Sequence, residues 1–477
     1  MKFFRLPDKR TRRALLLLGF TLLLICGATL GYRAYIQSVS HASLERILAR
    51  LEREDPGWEW QRIVEARTPV SEEENGYRLI REINAIGNIL PTRTNTANIF
   101  GKYHFPDPIP FEIGDWLGDM LGQRQKQVQL AVRIADFPKG RVPQSIDGSQ
   151  NLVWINEVQQ VASLIRWNSR ANGQLSRIDD GLRDIHALLN LSRYLPEDEI
   201  LTSMHVRSDN IRFLVFTLQE VLSRGSASVE KLAKLQHSLE EENRTPLLAN
   251  CLRSSRAWNY EFFLRRMVDH LDYEKIETIL SMYEVDIRAD FSLLGNATLR
   301  FRYQPWVEHD LAEFLEEVTK YIDAAKGPEM EILPSFEEIQ RERQQKLERD
   351  GFQIKRFISG IPHLDDSLSK IASAVHADRA CLRCAILALA TERFRLENQR
   401  WPKSVLELVP KYISELPKDP YSGQNLLMRF PKDGLAISSV GKTQVPEILG
   451  FRLWNPDMRR KALPESWSFL EFRGKEE

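Results

Sequence analysis

The chain has 477 residues, 43% of them hydrophobic, enough to bury one large core or two to three ordinary ones. Lys+Arg and Asp+Glu both number 66, so no global charge draws it toward nucleic acid. Four cysteines are too few for a disulfide framework.

Charge is uneven only at the N-terminus. Residues 1 to 13 hold Lys2, Arg5, Lys9, Arg10, Arg12 and Arg13 against Asp8, a basic tail expected in the cytoplasm. Ala14 to Gly31 carries no charge and, as a helix, covers roughly 27 Å, enough for a thin hydrocarbon core. The expectation is a transmembrane signal anchor over 14–31, with the lipid bilayer as partner and the remainder outside. A cleaved signal peptide, with Cys26-Gly27-Ala28 as its small-residue site, is the competing reading. Gly19-Phe20-Thr21-Leu22-Leu23-Leu24 resembles the processing site of type IV pilins and pseudopilins. Leu15 to Leu18 precede its Gly, however, and Leu24 stands where that site has Glu, so it reads as membrane segment.

Beyond the span, apolar residues recur three and four apart, which predicts a mainly α-helical exported domain over 32–326. Gln37 to Arg53 reads as an amphipathic stalk ending at Asp55-Pro56-Gly57-Trp58. Ser71 with Glu74 reads as a capping box ahead of a helix over 75–89. Residues 91–111 read as a long loop. Helices follow over about 112–136, 150–171, 174–194, 199–223, 228–242, 246–270, 273–283 and 307–325. Short connections imply helical hairpins stacked as a bundle or an irregular α-solenoid. Residues 327–362 form a charged connector, with Gly327-Pro328 to Pro334 as a break and 336–350 as an exposed helix or mobile link. A long helix over 363–399 leads to a small α+β module reaching residue 455. Its hairpin has strands at 425–430 and 435–440 around Pro431-Lys432-Asp433-Gly434, and 456–477 is a tail.

Within that last segment, Leu387-Ala388-Leu389-Ala390, Glu392-Arg393-Phe394-Arg395, Asn398 to Pro402, Leu406 to Pro410, Pro417 to Gly423, Asp433-Gly434 and Ser438 to Gly441 follow in a set order. The succession resembles the C-terminal half of the major pseudopilin of type II secretion, over about 55 residues. The resemblance implies a helix running into a turn and a short sheet. It brings no calcium site, because Lys442-Thr443-Gln444-Val445-Pro446 holds no carboxylate. The whole plan, from single span to this ending, also resembles a group of uncharacterised membrane-anchored proteins of planctomycete bacteria, which implies topology and no activity.

Candidate chemistry is sparse. Cys381 and Cys384 lie at i, i+3 on one helix, a possible redox pair, although a mid-helix site among Ala385, Ile386 and Leu387 reads rather as packed thiols. Arg256, Trp258, Tyr260, Arg300, Tyr303 and Trp306 interleave cations with aromatics and could line a binding groove, the competing reading being a helical core with snorkelling arginines. Acidic runs such as Glu240 to Glu242 read as solvated helix ends. No metal-ligand spacing, P-loop, GxSxG or GxGxxG occurs, so no catalytic residue, cofactor or metal is expected. These features predict a non-catalytic envelope protein that binds or assembles with a protein partner, anchored in the bacterial inner membrane with its bulk periplasmic. A secretion or pilus-like accessory subunit and a periplasmic hydrolase are the alternatives.

Overall fold

The computed structural model describes residues 9–89, 111–141, 153–195, 201–264, 301, 304–350, 362–441 and 449–459. The helix expected over 273–283, residues 442–446 and the loop expected over 91–111, save Phe111 which begins a helix, lie outside them. The described residues hold thirteen α-helices and one small sheet. The chain divides into two compact units, residues 1–62, 256–320 and 339–366 forming the first and the remainder the second. Both units are assembled from separate stretches, so they cut across the blocks read in chain order.

In the first unit, α1 runs unbroken from Lys9 to Glu54, so span and stalk are one helix of 46 residues. Leu15 to Leu18 and Leu22 to Ile25 are all exposed, and the most apolar eighteen-residue window has a mean hydropathy of 2.1, long and apolar enough to cross a membrane. Hydroxyls within this stretch are satisfied by the helix itself. Thr21 Oγ1 donates to Leu17 O at 2.9 Å and Thr29 Oγ1 to Ile25 O at 2.8 Å, which removes the cost of placing them in hydrocarbon. Past residue 32 the helix turns amphipathic. Ile36, Ser40, Leu44, Ile47 and Leu51 are buried at three- and four-residue spacing, and Ser40 Oγ donates to Pro305 O at 2.7 Å. That bond ties the stalk to the start of α11 (Val307–Lys326), whose Val307, Leu311, Phe314, Leu315 and Val318 are also buried.

The second unit begins with α2 (Trp60–Glu65), whose first residues belong to the first unit, and α3 (Tyr77–Ile86). Ser71 Oγ accepts from Glu74 N at 3.3 Å, and Asn75 Oδ1 accepts from Tyr77 N at 3.1 Å, so Asn75 is the side chain that caps α3. The single helix expected over 112–136 is two, α4 (Phe111–Gly122) and α5 (Gln125–Arg133), separated by a turn at Gln123-Arg124 where Arg124 has φ of −117° and ψ of 23°. Next come α6 (Val153–Gln174), α7 (Ile178–Arg193) and α8 (Leu201–Leu222), the most extensively packed trio of the unit. Gly181 lets α7 approach α8 closely, since a Cβ there would stand 2.9 Å from Val221 Cγ1. After them come α9 (Val229–Arg244) and α10 (Leu247–Trp258), the latter running on through a π-helical turn at Asn259–Leu264 in the first unit.

The expected break reaching Pro334 needs correction. α12 (Glu329–Asp350) contains Pro334 within the helix, and Ile332, Leu333, Phe336 and Arg343 are buried. Pro334 sits near the N-terminal end, where few preceding turns remain for its ring to disrupt. The residues following Gly327-Pro328 therefore continue as one helix through Pro334, and most described side chains from Glu337 to Arg349 are exposed, as expected of an exposed helix.

The long helix α13 (Pro362–Asn398) enters a core that includes Leu382, Cys384, Ala385 and Leu389 with Leu435, Ile437, Phe451 and Leu453 of the sheet. The sheet is antiparallel in the order β1 (Leu427–Arg429), β2 (Gly434–Ser438), β3 (Gly450–Trp454), with Met428 opposite Ile437 and Leu435 opposite Leu453. The expected hairpin is β1–β2, and β3 adds a third strand. Alternate burial of Leu435 and Ile437, and of Phe451 and Leu453, puts one sheet face on the core.

Candidate functional site

The sequence-predicted groove does not hold together as a solvent-facing surface. Arg256 has a relative exposure of 1%, so it is no snorkelling cation; its guanidinium donates to Asp55 Oδ2 and, at 2.9 Å, to Thr319 Oγ1. It also stands 5.7 Å from the Trp58 ring, which meets Tyr260 at 5.3 Å. Arg256 is thus a buried tie between the end of α1 and α11, stabilised because its charge is paired and hydrogen-bonded. Trp258 is half-buried, and Trp306 packs edge-on to His309 at 6.2 Å. Arg300 and Tyr303 lie outside the described residues.

Cys381 and Cys384 are both free thiols, the first half-buried and the second buried. Burial, with Asp378 nearby, pushes the Cys381 thiol up to about 12, and burial raises Cys384 well above its ordinary value. Nucleophilic or redox chemistry needs a thiolate, which this surrounding disfavours. Sulfur here serves packing.

A different feature has the form of a site. In the first unit, a cleft of about 640 Å³ is walled by Ser43, Arg46, Ile47 and Arg50 of α1, by α11 from His309 to Lys320, and by α12 from Ile339 to Arg349. Three amphipathic helices meet here by their charged flanks, because their apolar residues are spent on the core below. Six cations (Arg46, Arg50, Lys320, Arg343, Lys346, Arg349) face four carboxylates (Glu313, Glu316, Glu317, Glu342). Several pair across the walls: Arg343 with Glu317 at 3.1 Å, Lys346 with Glu313 at 2.9 Å, Lys320 with Glu342 at 3.9 Å and Arg50 with Glu316 at 4.0 Å. Burial pushes the Glu313 carboxyl up, but hydrogen bonds from His309 and Lys346 outweigh it and hold Glu313 below the usual carboxylate range. A carboxylate so fixed in its ionised form is a counter-ion, a poor proton acceptor at neutral pH. Arg46 is exposed and has no ion-pair partner among the described residues. The cleft can therefore offer an occupant both signs of charge, with a cationic surplus. Among the described residues, no group of three His, Cys, Asp or Glu is placed to hold a metal ion.

These residues escape a linear reading because they come from 43–50, 309–320 and 339–349, and each stretch alone looks like an ordinary solvated face. The discernible signal is complementary charge: Glu316 and Glu317 three and four residues after Glu313 on one helix, and Arg343, Lys346 and Arg349 at three-residue spacing on another.

The motif residues of the C-terminal module converge on a structural carboxylate. Asp419 is buried; its Oδ1 accepts from Tyr421 N at 2.8 Å and Ser422 N at 3.3 Å, and its Oδ2 accepts from Val440 N at 2.7 Å. The turn at 419–423 is thereby fastened to Ser439–Gly441, with Gly423 and Gly441 at φ of 67° and 64° where other residues are strained. No family model, no curated protein and no solved structure matches this chain.

Proposed function

We propose that the protein is a non-catalytic, single-pass membrane-anchored scaffold of the bacterial envelope. Its N-terminus lies on the cytoplasmic side of the inner membrane, its bulk is periplasmic, and the charged cleft of its membrane-proximal unit binds a segment of a partner protein bearing both charges. The observation that carries this reading is that α1 is at once the apolar span and a wall of the cleft. At 1.5 Å per residue, Ser43 to Arg50 stand about 18 to 28 Å beyond Gly31, past the headgroup layer and in reach of a neighbouring membrane protein. Paired charges at partial exposure favour selecting a complementary polypeptide over bond-breaking chemistry. The basic residues before the span, against Arg33 alone just after it, support the orientation.

The test is crosslinking of intact cells followed by pull-down of the full chain, beside the double variant Arg46→Glu, Arg343→Glu. A discrete protein partner captured by the wild type and lost in the variant is expected. Equal recovery by both would remove the cleft from the binding. Protease added to spheroplasts should degrade the region after residue 32, and its survival there would overturn the orientation.

A second reading is favoured by the order of the C-terminal motifs and their closure around Asp419: a pseudopilin-like module serving a secretion assembly. It predicts that the captured partner belongs to an inner-membrane platform and that removing 381–441 abolishes capture. A periplasmic hydrolase would require a convergent set of proton-transfer groups, and the paired Glu313 argues against the cleft filling that role.

A further inference from the structure

The exposed side chains of α1 change character where the span ends. From Leu15 to Leu30 the large exposed side chains are aliphatic apart from Phe20; immediately afterwards stand Tyr32 and Tyr35, 59% and 65% exposed. With Val39 they form a stripe at i, i+3 and i+7, flanking the buried line of Ile36 and Ser40. A third aromatic arrives from a distant part of the chain. Phe301, 48% exposed, lies with its ring under the Arg33 guanidinium at 4.1 Å. All four residues belong to the first unit. From Tyr32 to Tyr35 is less than one helical turn, so this ring of aromatics sits within about 6 Å of the end of the apolar run.

Charge agrees with the position. Between Ala14 and Leu44 there is no carboxylate; the only ionisable side chains beyond Tyr and Cys are Arg33 and His41. The first acid, Glu45, is fourteen residues past Gly31, about 21 Å up the helix. A stretch with exposed aromatics, one guanidinium and no negative charge suits the boundary between acyl chains and phosphate headgroups. Rings bury their apolar bodies there, phenol hydroxyls stay wet, and Arg33 meets phosphate.

We propose that Tyr32, Tyr35 and Phe301 form an aromatic collar that seats the membrane-proximal unit in the lipid headgroup layer, with Arg33 as its phosphate contact. The partner is phospholipid at the face where α1 emerges, and the inference rests on α1 being a membrane span. The role of Phe301 is distinct from that of the span. It is supplied by a segment nearly 270 residues downstream, so it fixes the unit to the surface at a second point. The cleft is then held at a set height and tilt.

The test uses the full chain reconstituted in vesicles of phosphatidylethanolamine and phosphatidylglycerol with a trace of radiolabelled phospholipid. The photo-crosslinker p-benzoylphenylalanine replaces Leu23, Phe301 or Arg46 in separate preparations. Labelled lipid adducts are expected at 23 and at 301, with at least a tenfold lower yield at 46. An adduct at 23 with position 301 as weak as 46 would overturn the collar while leaving the span intact. No adduct at 23 would overturn the span, and the collar with it.

Discussion

Asp184 is fully buried on α7, where Oδ2 accepts from Asn168 Nδ2 at 2.8 Å and Asn172 Nδ2 at 2.9 Å while Oδ1 has no partner among the described residues. Burial pushes this carboxyl up to about 8, the two amides only partly opposing it. Its folded value exceeds its unfolded one, so the native state binds a proton the unfolded chain has released. The contribution is full below about pH 4 and is lost as pH rises toward 8. Replacing Asp184→Asn keeps the shape and removes the titration. Urea midpoints of the detergent-solubilised chain, measured from pH 5 to 8, should fall less steeply in the variant, by at most about 1.4 kcal/mol per pH unit for one proton. Equal slopes would show that Asp184 is ionised throughout. Asp378, raised by burial to about 7 and accepting from Ser208 Oγ, adds a slope of its own over a narrower pH window and remains in both proteins. The thiols give a second residue-scale expectation. Iodoacetamide at pH 8 should label Cys381 slowly and Cys384 only after denaturation, read by mass spectrometry; rapid labelling of either would contradict the raised values.

At the scale of elements, the linkages that matter are buried ion pairs invisible to a linear reading. Glu242 closes α9 with 2% exposure, its carboxylate bonded by Arg207 at 2.6 Å and Arg193 at 3.0 Å, although Glu240 to Glu242 read as a solvated end. Glu392 on α13 is likewise buried and bonded by Arg395 and by Arg459 Nη1 at 2.8 Å, while the same Nη1 donates to Gly225 O at 2.8 Å. That triad fastens the end of the sheet module to the turn between α8 and α9. Truncation Glu392→Ala leaves two guanidinium groups facing each other without a counter-charge, a loss of about 3–5 kcal/mol by analogy with broken buried pairs. Urea denaturation of the variant should show it; a loss under about 1 kcal/mol would mean that water reaches the arginines. Helices themselves were legible because apolar spacing is local: α7, α11 and α13 fall within a few residues of expectation. Breaks were less so. A turn at Gln123-Arg124 splits one expected helix, and Pro334 is absorbed by another, because neighbouring packing decides whether a weak point parts.

For the whole molecule, the expectation that follows from the cleft is sensitivity to ions. Capture of the partner should weaken as salt rises from 50 to 300 mM, since the screening length shrinks from about 14 Å to about 6 Å over this range. The variant Arg46→Glu should be weaker at low salt and converge on the wild type at high salt. Insensitivity to salt would place the partner on an apolar surface instead. The proposed lipid collar should be unaffected by the same substitution, because Arg46 stands about three helical turns beyond Tyr35.

The linear sequence by itself determined the apolar span, the dominance of helix and the C-terminal hairpin, because each depends on residues within a turn or two of one another. Tertiary structure alone decided that Arg256 is a buried tie, that the helix after Gly327 runs unbroken through Pro334, and that 43–50, 309–320 and 339–349 meet as a cleft. The reason is that burial and counter-charge are properties of neighbours in space. An arginine reads the same in sequence whether it faces water, a carboxylate or a lipid phosphate.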